Sequence, residues 1–390
     1  MNARALVLAL AALLPAACTI GPDYERPENM MPAEEYRGVI TPQQAESFAD
    51  LDWIQAFADP QLNELIRIAL DNNLDLMIAA ERVQEFRGQT RISNSTMGPQ
   101  IQGTGGTSPS LIGDEDSSYS LGFSLSWEID LFGKLRRANE ATMALLLASE
   151  DNARAVMASL VADVAASWFE LRALDAEVGI IERTIKLQEN SLALVESQNR
   201  NGIASGTEVE QAVTQLATTR STLPIALQLR IATENRLRFL LGFPPDSVER
   251  DELEEQLLTP PRLPVGMPSQ LLSRRPDLRR LENELHAATA QIGVAEASRF
   301  PYLSIGLTSF FGLISPELSR LFDFEDPAQE LFSIGPYLDM PIYTSGAAGG
   351  NIDVAEAQAQ QAELAYRRAV LQSLREVSDF LTAYELQQDF

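Results

Sequence analysis

Cys18 is the only thiol in the chain, and its position gives it a chemistry. Residues 1–17 hold a short basic start with Arg4, an apolar run from Ala5 to Leu14, and small residues up to Ala17. That is the pattern of a signal peptide for export, too short to span a membrane. Cleavage after Ala17 would leave Cys18 as the first mature residue, the expected site of lipidation, with palmitate among the acyl chains. Pro15 stands three places before Cys18, where bacterial lipoproteins usually carry a small or aliphatic residue, and Leu14 is one step further away. The alternative is an isolated cysteine in an exported protein. One cysteine allows no intramolecular disulfide, and one histidine, His286, allows no multi-histidine metal site.

Three further stretches have the outline of a site and lack its chemistry. Gly202-Ile203-Ala204-Ser205-Gly206 sets a serine among glycines, but the order is not G-x-S-x-G and no matched base is evident for Ser205. Gly346-Ala347-Ala348-Gly349-Gly350 follows a strand and opens a helix, as phosphate loops do, without the lysine and hydroxyl that hold a nucleotide. Arg274, Arg275, Arg279 and Arg280 are interleaved with Asp277, Glu282 and Glu284, the mark of a salt-bridged helix face, on which His286 reads as a partly exposed structural residue. The net charge of −25 argues against nucleic acid as a partner, because phosphates need a basic surface. It reads as a solubility device or as a lumen that favours cations. No enzyme, cofactor or metal site is expected.

The elements that must position these residues are organised around residues 127–137, WEIDLFGKLRR. Upstream, Tyr119, Leu121, Phe123, Leu125 and Trp127 alternate with Ser120, Gly122, Ser124 and Ser126, which predicts a strand over 118–130 wet on one face. Such a strand can cross a tilted apolar band of ~25 Å. Downstream no proline intervenes before Pro224, and a helix over 133–199 would reach roughly 100 Å. Gly133 lets the backbone bend at the join, and Asp130 puts an acid near the positive helix end. Val164, Trp168, Leu171, Leu174, Val178, Ile181, Ile185, Leu192 and Val195 fall mainly at steps of three and four, a coiled-coil seam. Asn201, Gly202, Ile203, Ala204, Ser205, Gly206 and Thr207 break the helix, and Thr207 with Glu208 predicts a capped restart. The return helix carries Val209, Val213, Leu216, Leu223 and Leu227, completes a helical hairpin over 133–241, and should kink at Pro224. Ahead of all this lie an extended N-terminal arm over 18–58, a helical stripe from Leu62 to Phe86, and a weak strand over 99–108.

The chain then repeats itself. A shift of 202 places Asn73-Leu74-Asp75-Leu76 on Arg275-Pro276-Asp277-Leu278, and Pro99 on Pro301. After a longer loop a shift of 213 places Gly122 on Gly335, Leu125 on Leu338, Gly133 on Gly346 and Val164 on Val377. Two internal structural repeats follow, 59–266 with a linker at its end and 267–390, the second with strands over 301–312 and 331–343 and a long helix over 346–390. The fold class is an α+β membrane protein. Four strands cannot close a barrel, since single-chain membrane barrels begin at about eight and open edges do not occur in lipid. The chain must therefore oligomerise, or its sheet stays inside a soluble helical protein.

Together, Cys18-Thr19-Ile20-Gly21-Pro22-Asp23-Tyr24 with Arg26-Pro27, Trp53 with Phe57, Asp59-Pro60 and Leu62, and the spans 127–137, 202–206 and 275–304 carry a resemblance. In order and spacing the chain resembles the outer-membrane factor (TolC-like) family of bacterial efflux systems, in its NodT/OprM-type lipoprotein branch. The resemblance implies a homotrimer in which four strands per chain close one twelve-stranded β-barrel in the outer membrane, continued by a long α-helical periplasmic barrel about 100 Å deep. It implies a passive duct for drugs or other toxic compounds, with an inner-membrane pump and a periplasmic adaptor, or membrane fusion protein, as partners. It gives Asn201, Gly202, Ile203, Ala204, Ser205, Gly206 and Thr207 an adaptor-docking and gating role, and Cys18 the lipidated position.

The second repeat departs from the first. It stops at Phe390, whose counterpart under the 213 shift is Glu177, so its tip and return helix have no match and the expectation is a C-terminally truncated chain. All four strands are present, which keeps barrel insertion within the expectation while coupling to a pump is in question. The rival reading is a soluble periplasmic coiled-coil scaffold or adaptor, or a non-functional fragment of the channel. A hydrolase acting at Ser205 is a third.

Overall fold

The computed structural model describes residues 19–27, 59–108, 118–251, 274–300, 309–323, 329–333 and 341–388. The signal region, Cys18 and residues 28–58 lie outside them. In chain order the elements are helices α1 (Pro60–Asn72) and α2 (Leu74–Ser95), strands β1 (Gln100–Ser108) and β2 (Ser118–Ser126), the long helix α3 (Lys134–Arg200), its return α4 (Gly206–Leu240), α5 (Pro276–Ala297), β3 (Ser309–Ser315), a 3-10 turn Leu318–Phe322, β4 (Gln329–Ser333) and α6 (Ala347–Gln388). Among the described residues no helix is long and apolar enough to cross a membrane.

The chain divides into two compact units that cut across the two sequence repeats. One comprises Ile40–Ala80 and Ala153–Met267, the other Met1–Val39, Glu81–Asn152 and Pro268–Phe390. In the first unit the core joins Leu62, Ile66 and Ala69 of α1 to Leu160, Val164, Trp168 and Leu171 of α3, and to Leu237 of α4. Asp59 explains why α1 starts where it does. Its carboxylate accepts from the amides of Gln61 and Leu62, and Pro60 fills the first helical position, whose missing N–H is no loss. The other carboxylate oxygen accepts from the indole of Trp168 at 2.9 Å, which ties the cap to the core. Arg250 holds the segment after α4 with a fork on Asp175 and a bond to Glu234 at 2.6 Å.

The second unit contains the sheet. Its order is β1-β2-β3-β4, every neighbour antiparallel, with Gly122 paired to Thr104 on one side and Gly312 on the other. Leu121 and Phe123 point to one face and are exposed there, Phe123 by 61%. Beside the sheet, α5 meets the start of α3 through alanines, Ala287 and Ala290 against Ala141 and Ala144, and meets α6 through Leu278, Leu285, Tyr366 and Val370. The size of the side chains at a helix contact sets the distance between the axes, and alanines allow a close approach.

Several boundaries differ from the sequence expectation. Strand β2 ends at Ser126 instead of running to residue 130, because Ser126 pairs with Gln100, the first residue of β1, and Pro99 before it has no N–H to extend the ladder. Strand β3 lies at Ser309–Ser315, beyond most of the expected 301–312, and residues 301–308 are outside the described set. Strand β4 is Gln329–Ser333, earlier than 331–343; residues 334–340 are outside the described set, and Pro341, which has no N–H to give a ladder, is not in a strand. The restart after α3 is capped by Ser205, not Thr207. Pro224 lies inside α4, which runs on unbroken through Leu240, with the proline on an exposed face.

Candidate functional site

The junction between β2 and α3 is built from Asp130 and Gly133. The Asp130 carboxylate accepts the Arg136 amide at 2.9 Å and the Arg136 side chain at 3.2 Å, so one acid satisfies a first-turn N–H and pairs the guanidinium beside it. Gly133, one residue before the helix, has φ +82°, a left-handed conformation that a Cβ would disfavour. Gly346, one residue before α6, has φ +90°. Both turns into the long helices share a left-handed glycine. The two glycines differ in surroundings: a Cβ on Gly346 would meet nothing within 4 Å, whereas one on Gly133 would lie 2.9 Å from the Cα of Thr19.

Thr19 opens a stretch that the sequence placed in an extended arm lying over the folded body. Residues 19–27 lie down on α3 and α5. Ile20 donates its amide to the Phe132 carbonyl at 3.2 Å. Arg137, 3% exposed, spreads its guanidinium over this stretch, donating to the carbonyls of Ile20 at 3.2 Å and Gly21 at 3.1 Å, and to Asp23 at 2.6 Å. Its remaining arm donates to Glu140 at 2.8 Å, whose other oxygen lies 2.9 Å from Nε2 of His286. Burial alone would raise the Glu140 carboxyl, but the bonds from His286 and Arg137 outweigh it and hold that carboxyl below the usual range. Tyr24 stacks on the His286 ring at 4.8 Å, and Arg26 grips Glu282 with two bonds of 2.8 and 2.7 Å. Burial and the Glu282 charge push the Tyr24 phenol above its ordinary value.

The hairpin tip is a second candidate. Gly202 has φ +74°, the Gly202 amide bonds the Asn199 carbonyl, and the Ile203 amide bonds the Gln198 carbonyl, which is a Schellman ending to α3. Ser205 then accepts from the Glu208 amide while the Glu208 carboxylate accepts from the Ser205 amide, a capping box that starts α4. Between these two closures Ile203 is 77% exposed. The arrangement is rigid in backbone and apolar at its apex. The Ser205 hydroxyl donates to the Glu208 carboxylate at 3.1 Å.

The structure thus brings Gly133 against Thr19, while Asp130 bonds Arg136 and Trp127 bonds the Met97 carbonyl. Sequence reasoning gave Arg137, Glu140 and Glu282 no part in holding residues 19–27. Arg137 ended the 127–137 motif and Tyr24 and Arg26 lay in another, but no local signal links residues 114 apart. The arginine and acid cluster does form a paired helix face: Arg275 bridges Asp277 and Glu376, Arg279 reaches Asp151, and Arg280 reaches Glu284.

The chain thus combines a short antiparallel sheet that has an exposed apolar face with helices of 67 and 42 residues. The family model described as outer membrane efflux protein matches residues 65–243 and 267–389, and the chain belongs to that family. It is 34% identical over 377 residues to the cation efflux system protein CusC of Escherichia coli O6:H1, covering 95% of this chain and 80% of that one. It is 33% identical over 398 residues to the toluene efflux pump outer membrane protein TtgC of Pseudomonas putida, covering 98% and 81%. Among solved structures, the open state of the Neisseria gonorrhoeae MtrE outer membrane channel superimposes with a TM-score of 0.81 at 30% identity, over 95% of this chain and 83% of that one. The outer-membrane channel OprN does so with a TM-score of 0.84 at 29% identity, over 95% and 84%.

Proposed function

We propose that the chain is one protomer of a homotrimeric efflux duct, in which three copies of the sheet close one twelve-stranded barrel and the long helices continue it into the periplasm. The observation that carries this reading is the sheet. In one copy β1 and β4 end it with open edges, and its apolar face, with Leu121 and Phe123, is exposed. Unpaired strand edges are excluded from lipid, so neighbouring copies must supply the missing partners. The helices support the same conclusion. On α3, Val164, Trp168, Leu171, Leu174 and Val178 are buried, but Ile180, Leu187 and Leu194, spaced by seven, are exposed. A heptad stripe facing water is stabilised when another helix covers it.

In this reading the two repeats, 59–266 and 267–390, each supply helix, strand, strand and long helix. The described order of elements supports it, since α2-β1-β2-α3 is followed by α5-β3-β4-α6. Cys18 carries the lipid, and Trp127, Asp130, Gly133 and Gly346 turn strands into helices. The tip from Asn201 to Thr207 docks a periplasmic adaptor that links the duct to an inner-membrane pump. The duct binds nothing tightly. Relatives named for cations and for toluene share this build, which supports leaving the choice among small solutes to the pump.

Two measurements test the reading. Native mass spectrometry of detergent-extracted protein is expected to give a trimer, and expression in a strain lacking its own outer-membrane channel is expected to restore resistance to exported compounds. Ile203→Asp at the tip is expected to abolish that resistance while leaving the trimer intact. A protein that stays monomeric in detergent and forms no conducting pore in planar bilayers overturns the proposal.

A further inference from the structure

We infer that residues 19–27 form a clamped strap, not a slack tether, and that Arg137 and Gly293 are the positioning residues that hold it. Two contacts carry this. The first is polar: Arg137 donates to two strap carbonyls and to the Asp23 carboxylate, a use of the planar guanidinium fork that reads backbone and side chain together. The second is steric. A Cβ on Gly21, at φ +95°, would sit 2.4 Å from the Cα of Gly293, and one on Gly293 would sit 2.7 Å from the Ile20 carbonyl oxygen and 2.9 Å from Cγ of Arg137. The strap therefore lies backbone to backbone on α5. Gly293 is inside that helix, where glycine is a poorer helix former than alanine, so its local preference is subordinate to the strap.

The consequence concerns the residue before the strap. Thr19, the residue that follows Cys18, is pressed against Gly133, so the strap begins at the turn into α3. Acyl chains on Cys18 then enter the bilayer at the foot of the strands, and the strap sets the height of the sheet against the lipid surface. Only this last step rests on the lipid-anchor reading proposed above. The clamp itself does not.

The test compares full-length wild type, Gly293→Ala, Arg137→Met and Arg137→Lys, purified from membranes in detergent. Backbone hydrogen exchange is followed by mass spectrometry in peptides covering 19–27 and 276–292, and the mass of the N-terminal peptide reports acylation of Cys18. Gly293→Ala is expected to raise exchange across 19–27 at least tenfold while α5 stays as protected or becomes more so, because the new methyl evicts the strap from a helix that alanine favours. Arg137→Met is expected to free the strap likewise, and Arg137→Lys to free it partly, since a point charge replaces the fork. Unchanged strap protection in Gly293→Ala, or loosening of strap and α5 together, overturns the clamp. A wild-type N-terminal peptide without acyl mass removes the anchor and with it the height-setting role, while the exchange data still decide the clamp.

Discussion

Asp59 holds two structures with one carboxylate, and separating them gives a quantitative test of the core. Asp59→Ala removes the N-cap of α1, worth typically about 1 kcal/mol. It also strips the acceptor from the Trp168 indole, which is 1% exposed, and a buried donor left without a partner costs about 1–3 kcal/mol. The sum is about 3 kcal/mol, or about a hundredfold in a local opening equilibrium. In a Trp168→Phe background no indole N–H remains to be stranded, so Asp59→Ala should cost only the cap, about 1 kcal/mol. The coupling between the two sites is then about 2 kcal/mol. Amide exchange in α1, measured on the four proteins of this cycle, reads the opening free energy directly. Asp59→Asn is expected to fall between, because one amide oxygen can serve the cap or the indole and not both. If the two single substitutions add to within about 0.5 kcal/mol, the indole bond contributes nothing and the account of how α1 is fixed to α3 is wrong.

Glycines with the same backbone angle should differ in cost. Gly202→Ala meets nothing within 4 Å and is expected to lose only the left-handed penalty, about 1–2 kcal/mol, whereas in Gly242→Ala the new Cβ would lie 2.4 Å from the Asn72 carbonyl oxygen, so a larger loss is expected by thermal unfolding. Leu171→Ala, at a fully buried seam position, is expected to destabilise by about 2–5 kcal/mol in the same assay. For acid, the sign follows from Glu140 and Asp277, whose folded carboxyls are held below their ordinary values of 4.5 and 3.8. Their contribution is fully present above those values and is lost as pH falls through the lowered folded values, so melting temperature should drop between pH 5 and 3 by linkage. Glu140→Gln is expected to show a shallower fall than wild type, and an identical slope would remove Glu140 from the explanation.

What the sequence determined by itself was everything encoded within a few residues. The alternation from Tyr119 to Leu125 marked β2, the proline-free run marked α3, and the glycines at 133 and 346 marked turns that adopt φ +82° and +90°. Such features are set by local sterics and periodicity, which act over one or two turns of chain. The placement of β3 was not legible in this way, since residues 309–315 set Phe310 beside Phe311 and Leu313 beside Ile314 without alternation, and it is pairing with β2, Leu313 opposite Leu121, that fixes their register. The buried stripe of α3 was legible from its period, since Val164, Trp168, Leu171, Leu174 and Val178 are buried, whereas the exposed stripe of Ile180, Leu187 and Leu194 was not. Arg137 over the strap, Trp168 on Asp59 and Arg250 between Asp175 and Glu234 join residues far apart in sequence. Their worth comes from desolvation at a shared place, and a place is shared only once the chain has folded.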